Sequence, residues 1–171
     1  MELKTLRESA RQLSEPPFIS GLPQPIILDS DLRLPLDSKV IKNAVAGTGK
    51  PPCLLYTKQA SEAELEMLRK TCCEPIRIAL PTQSTSHSDR WPQIIEALQP
   101  THTSLMIEGG AQVISSLLQR QDLIDVLIIT VGKTMFGSQG VGYDGAPLMT
   151  LQHVATREFG SDTVIAFVRN R

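Results

Sequence analysis

No apolar run in this chain approaches the roughly 20 residues that a bilayer span needs, and the amino terminus, MELKTLRESARQL, carries no apolar core of the secretory kind. The expectation is a protein that stays where it is made, in the cytoplasm. Charge of one sign is also missing: 17 Lys and Arg stand against 18 Asp and Glu, a formal net charge of -1. That excludes a nucleic-acid tail or a basic membrane patch and points to a small-molecule partner. Cysteine is scarce, and Cys53, Cys72 and Cys73 cannot all pair with one another, so they read as free thiols in a reducing compartment. Cys72 and Cys73 lack the Cys-x-x-Cys spacing and any neighbouring histidine, and no metal site is expected. His87, His102 and His153 are scattered, each read as a surface or satisfied residue. Internal repeats and low-complexity blocks are absent too.

What is present is 171 residues, 41% of them hydrophobic and 20% charged. That length suits one domain, 1–171, with one core. Helical spacing of Leu3, Leu6, Ala10 and Leu13 gives a first short helix, stopped by Pro16 and Pro17. A strand follows at 24–29, then a brief helix capped by Asp37 or Ser38 that ends after Val45 at Gly47, Gly49 and Pro51. CLLYT is a second strand. Ser61 and Glu64 have capping-box spacing and open a helix with Ala63, Leu65, Met67 and Leu68 towards the core, and PIRIAL makes a third strand. After the turn-rich PTQSTSHSD come helix RWPQIIEAL, strand HTSLMIE, helix AQVISSLLQRQ and strand DVLIIT. Strands at 155–159 and 163–169, separated by Gly160, Ser161 and Asp162, close the chain as a hairpin. Alternating strands and helices predict an α/β fold, a three-layer sandwich with a mostly parallel sheet and a C-terminal antiparallel hairpin.

Three glycine clusters invite a phosphate-binding reading. AVAGTGKPP lacks the first glycine of a P-loop at Ala44 and has Pro51 where a magnesium-binding hydroxyl belongs. GVGYDG, 140–145, has dinucleotide-fingerprint letters but precedes Ala146, Pro147, Leu148 and Met149, which do not open a helix. It is either a plain loop or one that closes over a ligand. Gly109 and Gly110 differ, because they follow the apolar SLMI and precede a helix whose apolar face is Val113, Ile114, Leu117 and Leu118. Backbone there can come close to a ligand, and the unpaired amides and dipole of a helix start favour an anion. A tight turn without a ligand is the other reading. Glu108, at the carboxyl end of the preceding strand, is placed either to meet a polar ring or simply as a solvated strand-end charge.

Taken in order, ILDSDLRLP, PCLLYT, SLMIEGGAQVISSLL, LIDVLIITVGKTMFGSQGVG and ATREFGSDTVIAFV resemble the riboflavin-biosynthesis reductases. These are the fungal and archaeal diaminohydroxyphosphoribosylaminopyrimidine reductases and the C-terminal domain of the bacterial bifunctional deaminase-reductase. The resemblance spans about 24–169 and is most specific at E-G-G-A. It implies a dihydrofolate-reductase-like sheet, NADPH as hydride donor, activity like that of 5-amino-6-(5-phosphoribosylamino)uracil reductase, and a homodimer. It also implies roles: Gly109, Gly110, Ala111 and Gln112 on the cofactor pyrophosphate, Asp29, Ser30, Arg33 and Thr57 in cofactor binding, and Glu108 as the catalytic-site residue. A guanidinium such as that of Arg33 suits a 2′-phosphate. Family members begin with a strand, a T-x-S-x-D-G-[KR] stretch, a helix, a second strand and a D-D-P segment, for which the residues before Pro25 are too few. The sheet is therefore expected to show an open edge, covered by the first helix or by a second copy. Three other readings remain: a family member turned to another small substrate, with or without redox chemistry, a non-catalytic binding or partner protein, and a truncated gene product.

Overall fold

The segment CLLY is apolar throughout, with no alternation, and the structure shows why: all four residues of strand β2 (Cys53–Tyr56) are buried, with neighbours on both sides. The computed structural model describes residues 21–79, 86–135, 137, 140–143 and 147–170. Its chain divides into two compact units, Met1–Leu80 and Pro81–Arg171. Residues of the expected first helix lie outside the described residues.

In the first unit, β1 (Ile26–Leu28), β2 and β3 (Glu74–Arg77) form a parallel sheet in that order, Ile27 opposite Leu54 and Leu55 opposite Ile76. Pro75 is tolerated because β3 is an edge. Helix α1 (Lys39–Val45) starts at Ser38 and stops where Gly47 takes φ +69°, a left-handed turn that glycine makes without steric cost. Ile41 of α1, Leu54, Cys73 and Leu68 form the core, with Leu32, Leu34 and Val40 packed on it. Helix α2 (Glu62–Lys70) has the expected capping box: the Glu64 amide donates to Ser61 Oγ at 3.3 Å, and the Ser61 amide donates to Glu64 Oε2 at 3.0 Å. Its buried stripe is narrower than expected. Leu68 is buried and Leu65 half-buried, whereas Ala63 and Met67, on another stripe of the helix, are exposed.

Lys58 Nζ, 2.8 Å from Glu64 Oε1, and the Ser61 amide together hold the Glu64 carboxyl down from 4.5 to about 2. A depressed carboxylate stabilises the folded form above its unfolded value and loses that contribution as it is protonated. Helix α2 should therefore lose stability between pH 4.5 and about 2, and Glu64→Gln should flatten that part of an acid titration followed by circular dichroism. An unchanged acid profile would contradict the assignment.

In the second unit a 3-10 turn (His87–Arg90) leads into α3 (Trp91–Leu98), with Pro92 in its first turn, where a missing N–H costs least. Trp91 Nε1 donates to Ser116 Oγ of α4 (Ala111–Leu118) at 3.0 Å, a buried bond that fixes α3 against α4. Strands β4 (Val126–Val131), β5 (Leu151–Phe159) and β6 (Asp162–Arg169) form an antiparallel sheet in the order β4-β6-β5. The closing hairpin turns at Gly160, φ +63°, and is longer than expected at its start, with a register shift between His153 and Ala155. Buried Gln121 anchors the approach to β5, donating to the Pro147 carbonyl at 2.8 Å and accepting from the Thr150 amide at 3.3 Å. The α/β class, with a parallel sheet and an antiparallel hairpin, is as expected.

One expected strand does not form. Residues 104–110 carry neither helix nor strand, although half-buried Leu105 and Ile107 still alternate with exposed Met106 and Glu108. The period-two pattern reflects one packed face; a ladder needs a neighbour with free backbone groups as well, and none of the described strands pairs with it.

Candidate functional site

Gly109 and Gly110 meet different surroundings. A Cβ on Gly109 would lie 2.7 Å from Val113 Cβ, so the chain can turn into α4 there only without a side chain. A Cβ on Gly110 would meet nothing within 4 Å, and its φ of -68° suits any residue. Gly110 is the N-cap of α4 and supplies no side-chain acceptor, so the first-turn amides of Ala111, Gln112 and Val113 have no capping oxygen. Open space beside uncapped amides at the positive end of a helix is what an anionic group needs.

A cavity of about 600 Å3 opens beside this helix start, within the size range of small-molecule sites. Ala111 and Gln112 line it, with Ser115, Ser116 and Gln119 further along α4, Ser86, His87 and Ser88 opposite, and Gly142 from the glycine loop. His87, predicted as a surface or satisfied residue, is exposed and hydrogen-bonded to Gln112, Nε2 to Nε2 at 3.0 Å. Ser86 and Ser88 hydroxyls lie 2.7 Å apart. Gly142, of the GVGYDG segment, stands on the cavity wall, and residues 144–146 lie outside the described residues. Sequence reasoning missed the serines and Gln119. The available signal was the polar stripe Gln112, Ser115, Gln119 at i, i+3, i+7 spacing, opposite the apolar face of α4.

Glu108 directly precedes this turn and is exposed, on the segment without ladder bonds. It does not stand at the end of a hydrogen-bonded strand, which was the placement that singled it out.

The other expected cofactor residues lie in the first unit, just after β1 and β2. Asp29 is buried and accepts the Leu34 amide at 2.7 Å, holding the turn that follows β1. The Ser30 carbonyl accepts from the amides of Thr57, at 3.2 Å, and Lys58, at 3.1 Å, which joins Ser30 and Thr57 at the ends of two parallel strands. Arg33 is exposed, with Nε 3.9 Å from Asp29 Oδ1 and 3.7 Å from Asp31 Oδ2. Two carboxylates therefore compete with any phosphate for its charge. Asp29, Ser30, Arg33 and Thr57 form one group, and Glu108, Gly109, Gly110, Ala111 and Gln112 another, each in its own unit.

Burial pushes the Cys53 thiol up to about 11, with Glu74 adding to the effect, and raises Cys73 as well, so neither is an activated nucleophile. Among the described residues no three or more His, Cys, Asp or Glu converge on a metal-sized site, and no helix is long and apolar enough to cross a membrane.

The model of the RibD C-terminal domain matches residues 5–165. The chain belongs to the RibD C-terminal domain family. Within that family it is 35% identical over 156 residues to the 2,5-diamino-6-ribosylamino-4(3H)-pyrimidinone 5′-phosphate reductase of Kluyveromyces marxianus, covering 88% of this chain and 59% of the relative. The reductase of the same name from Candida glabrata is 35% identical over 150 residues, 84% of this chain and 56% of the relative. Among solved structures, the riboflavin biosynthesis reductase of Saccharomyces cerevisiae aligns with a TM-score of 0.66 and 25% identity, over 99% of this chain and 80% of that one. The family's dihydrofolate-reductase-like fold is thus the fold of this chain. The chain thus spans less than two thirds of the length of these two curated relatives.

Proposed function

We propose that this RibD C-terminal domain protein binds NADPH with the phosphates at the start of α4, and that it acts on a phosphorylated ribosylaminopyrimidine of riboflavin biosynthesis as a slow reductase. The observation that carries this reading is Gly110: uncapped amides beside a position where a side chain would meet no protein atom, opening into a cavity of about 600 Å3. When bound, the nicotinamide supplies the hydride. The chain's own part is to hold and orient: Gly109, Gly110, Ala111 and Gln112 take the pyrophosphate, with Gln112 braced by His87. Asp29, Ser30, Arg33 and Thr57, in the first unit, are the residues that the family resemblance assigns to cofactor binding. The names of the relatives supply the substrate class. Because the family match runs through both units, we read 1–171 as one domain. Free thiols fit a cytoplasmic protein, and the exposed apolar residues of β4, unpaired on one side among the described residues, fit a homodimer.

A second reading, binding without turnover, is favoured by the exposure of Glu108 and by the unpaired segment that carries it. Following NADPH consumption in the presence of the relatives' pyrimidine phosphate separates the two. Consumption that depends on the substrate supports the reductase; binding with no consumption supports the second reading.

A further inference from the structure

Two hydrogen bonds join the turn before α3 to α4 in one register. Trp91 Nε1 donates to Ser116 Oγ, and four residues earlier on both elements His87 meets Gln112, Nε2 to Nε2 at 3.0 Å. Residues four apart on a helix lie on one face, so Gln112 and Ser116 present a single stripe of α4 to the turn. The Trp91 bond is buried and fixes the alignment. Ser86 Oγ also accepts the Ser88 amide at 3.3 Å, which ties the backbone on either side of His87. The imidazole is therefore set over Gln112 by its neighbours, although both side chains are exposed.

A contact between those two nitrogens has one meaning. An amide nitrogen donates and cannot accept, so the ring nitrogen accepts and carries no hydrogen. Gln112 thus spends one of its two N–H donors on the ring. A protonated imidazole reverses this. Both of its nitrogens donate, so the contact persists only if the amide turns over and offers Oε1 instead. Both Gln112 N–H groups then face away from the ring, in the same first turn as the uncapped amides of α4.

The rest of the cavity wall supplies no charge. His87 is the one ionisable residue among those that line it. Its own turn also carries Asp89 and Arg90, α3 carries Glu96, α4 carries no ionisable group, and Tyr143 follows Gly142. Arg120, beyond the end of α4, is bound by Asp122 at 2.9 and 2.7 Å, and Asp89 adds to that carboxylate's effect on it. A phosphate in this cavity therefore meets neutral donors alone until His87 takes a proton. Imidazole is the side chain whose ordinary titration falls between about pH 5 and 8.

We propose that His87 is a positioning residue of the phosphate site: when protonated it turns the Gln112 amide so that both N–H donors face the anion, and NADPH binding draws a proton from solvent. This rests on the reading of the α4 start as the cofactor phosphate site and names what regulates it.

Calorimetric titration with NADPH at about pH 6 and about pH 8, repeated midway in buffers of different ionisation enthalpy, tests it. Between those values the wild type should gain about tenfold more affinity than His87→Gln, and it should take up more protons on binding. The 2′-phosphate of NADPH titrates near about pH 6 as well, and comparison with His87→Gln at each pH removes its share. Gln112→Leu should cost more affinity at the lower pH than at the higher, which a purely structural contact would not do. Equal pH profiles in wild type and His87→Gln, or an equal loss in Gln112→Leu at both values, overturn the role of His87 while the cofactor site stands. No binding at either pH, from a protein whose thermal melt shows it folded, overturns the site and this role together.

Discussion

Gly110→Val should leave a folded protein that has lost NADPH, whereas Gly109→Ala should lose stability. At Gly110 a Cβ meets nothing within 4 Å and the backbone is ordinary, so the cost to folding is limited to a poorer N-cap, about 1 kcal/mol at most. The branched side chain would occupy the space above the uncapped amides, where a phosphate has to approach the backbone. Affinity should fall about a hundredfold or more, equivalent to roughly 3 kcal/mol. At Gly109 the added methyl collides with Val113 Cβ, which belongs to the helix itself and cannot swing away. Overpacking of that kind costs about 1–3 kcal/mol, read as a lower melting temperature. Unaltered affinity in Gly110→Val, measured by calorimetry, would remove the phosphate site; an unaltered melt in Gly109→Ala would show that the turn is built differently.

Turnover with the relatives' pyrimidine substrate should be slow even when the cofactor binds. Hydride transfer depends on placing two rings within reach of each other, and a misplacement of about 1 Å can cost about a hundredfold in rate. The phosphate end of the proposed cofactor site is built on a helix start and a packed glycine. Glu108, two residues before the N-cap of that helix, is carried on residues without ladder bonds, beside a Met106 that is 84% exposed. Affinity can therefore survive where orientation does not. An assay of NADPH consumption should give well under about 1 per second, and Glu108→Gln should lower what remains without changing NADPH affinity. A rate of about 1 per second or faster would show that residues 104–108 are ordered enough for catalysis as they stand.

What could be read from the sequence follows the range of the interaction involved. The capping box of Ser61 and Glu64, the stop at Gly47 and the turn at Gly160 are local devices, and each appears where its residues predict it. β2 was legible because a run buried on both faces cannot alternate. The segment around Met106 was not, because its apolar alternation is the same whether or not a neighbouring strand supplies hydrogen bonds. Gly109 and Gly110 looked equivalent in sequence. Only the position of Val113 divides them into a packing glycine and an open one. Arg33 stood out as a lone cation for a phosphate, yet Asp29 and Asp31, both visible in sequence, are the groups that draw its charge. The cavity wall formed by Ser86, His87 and Ser88 depends on how the turn before α3 packs on α4, which no local pattern specifies.

The most direct test of the central claim is a calorimetric titration of the purified chain with NADPH. The phosphate site at the start of α4 predicts saturable binding, one cofactor per chain, with Kd in the range of about 1–100 μM, abolished by Gly110→Val. No heat up to about 1 mM NADPH, from a protein whose thermal melt shows it folded, would contradict it.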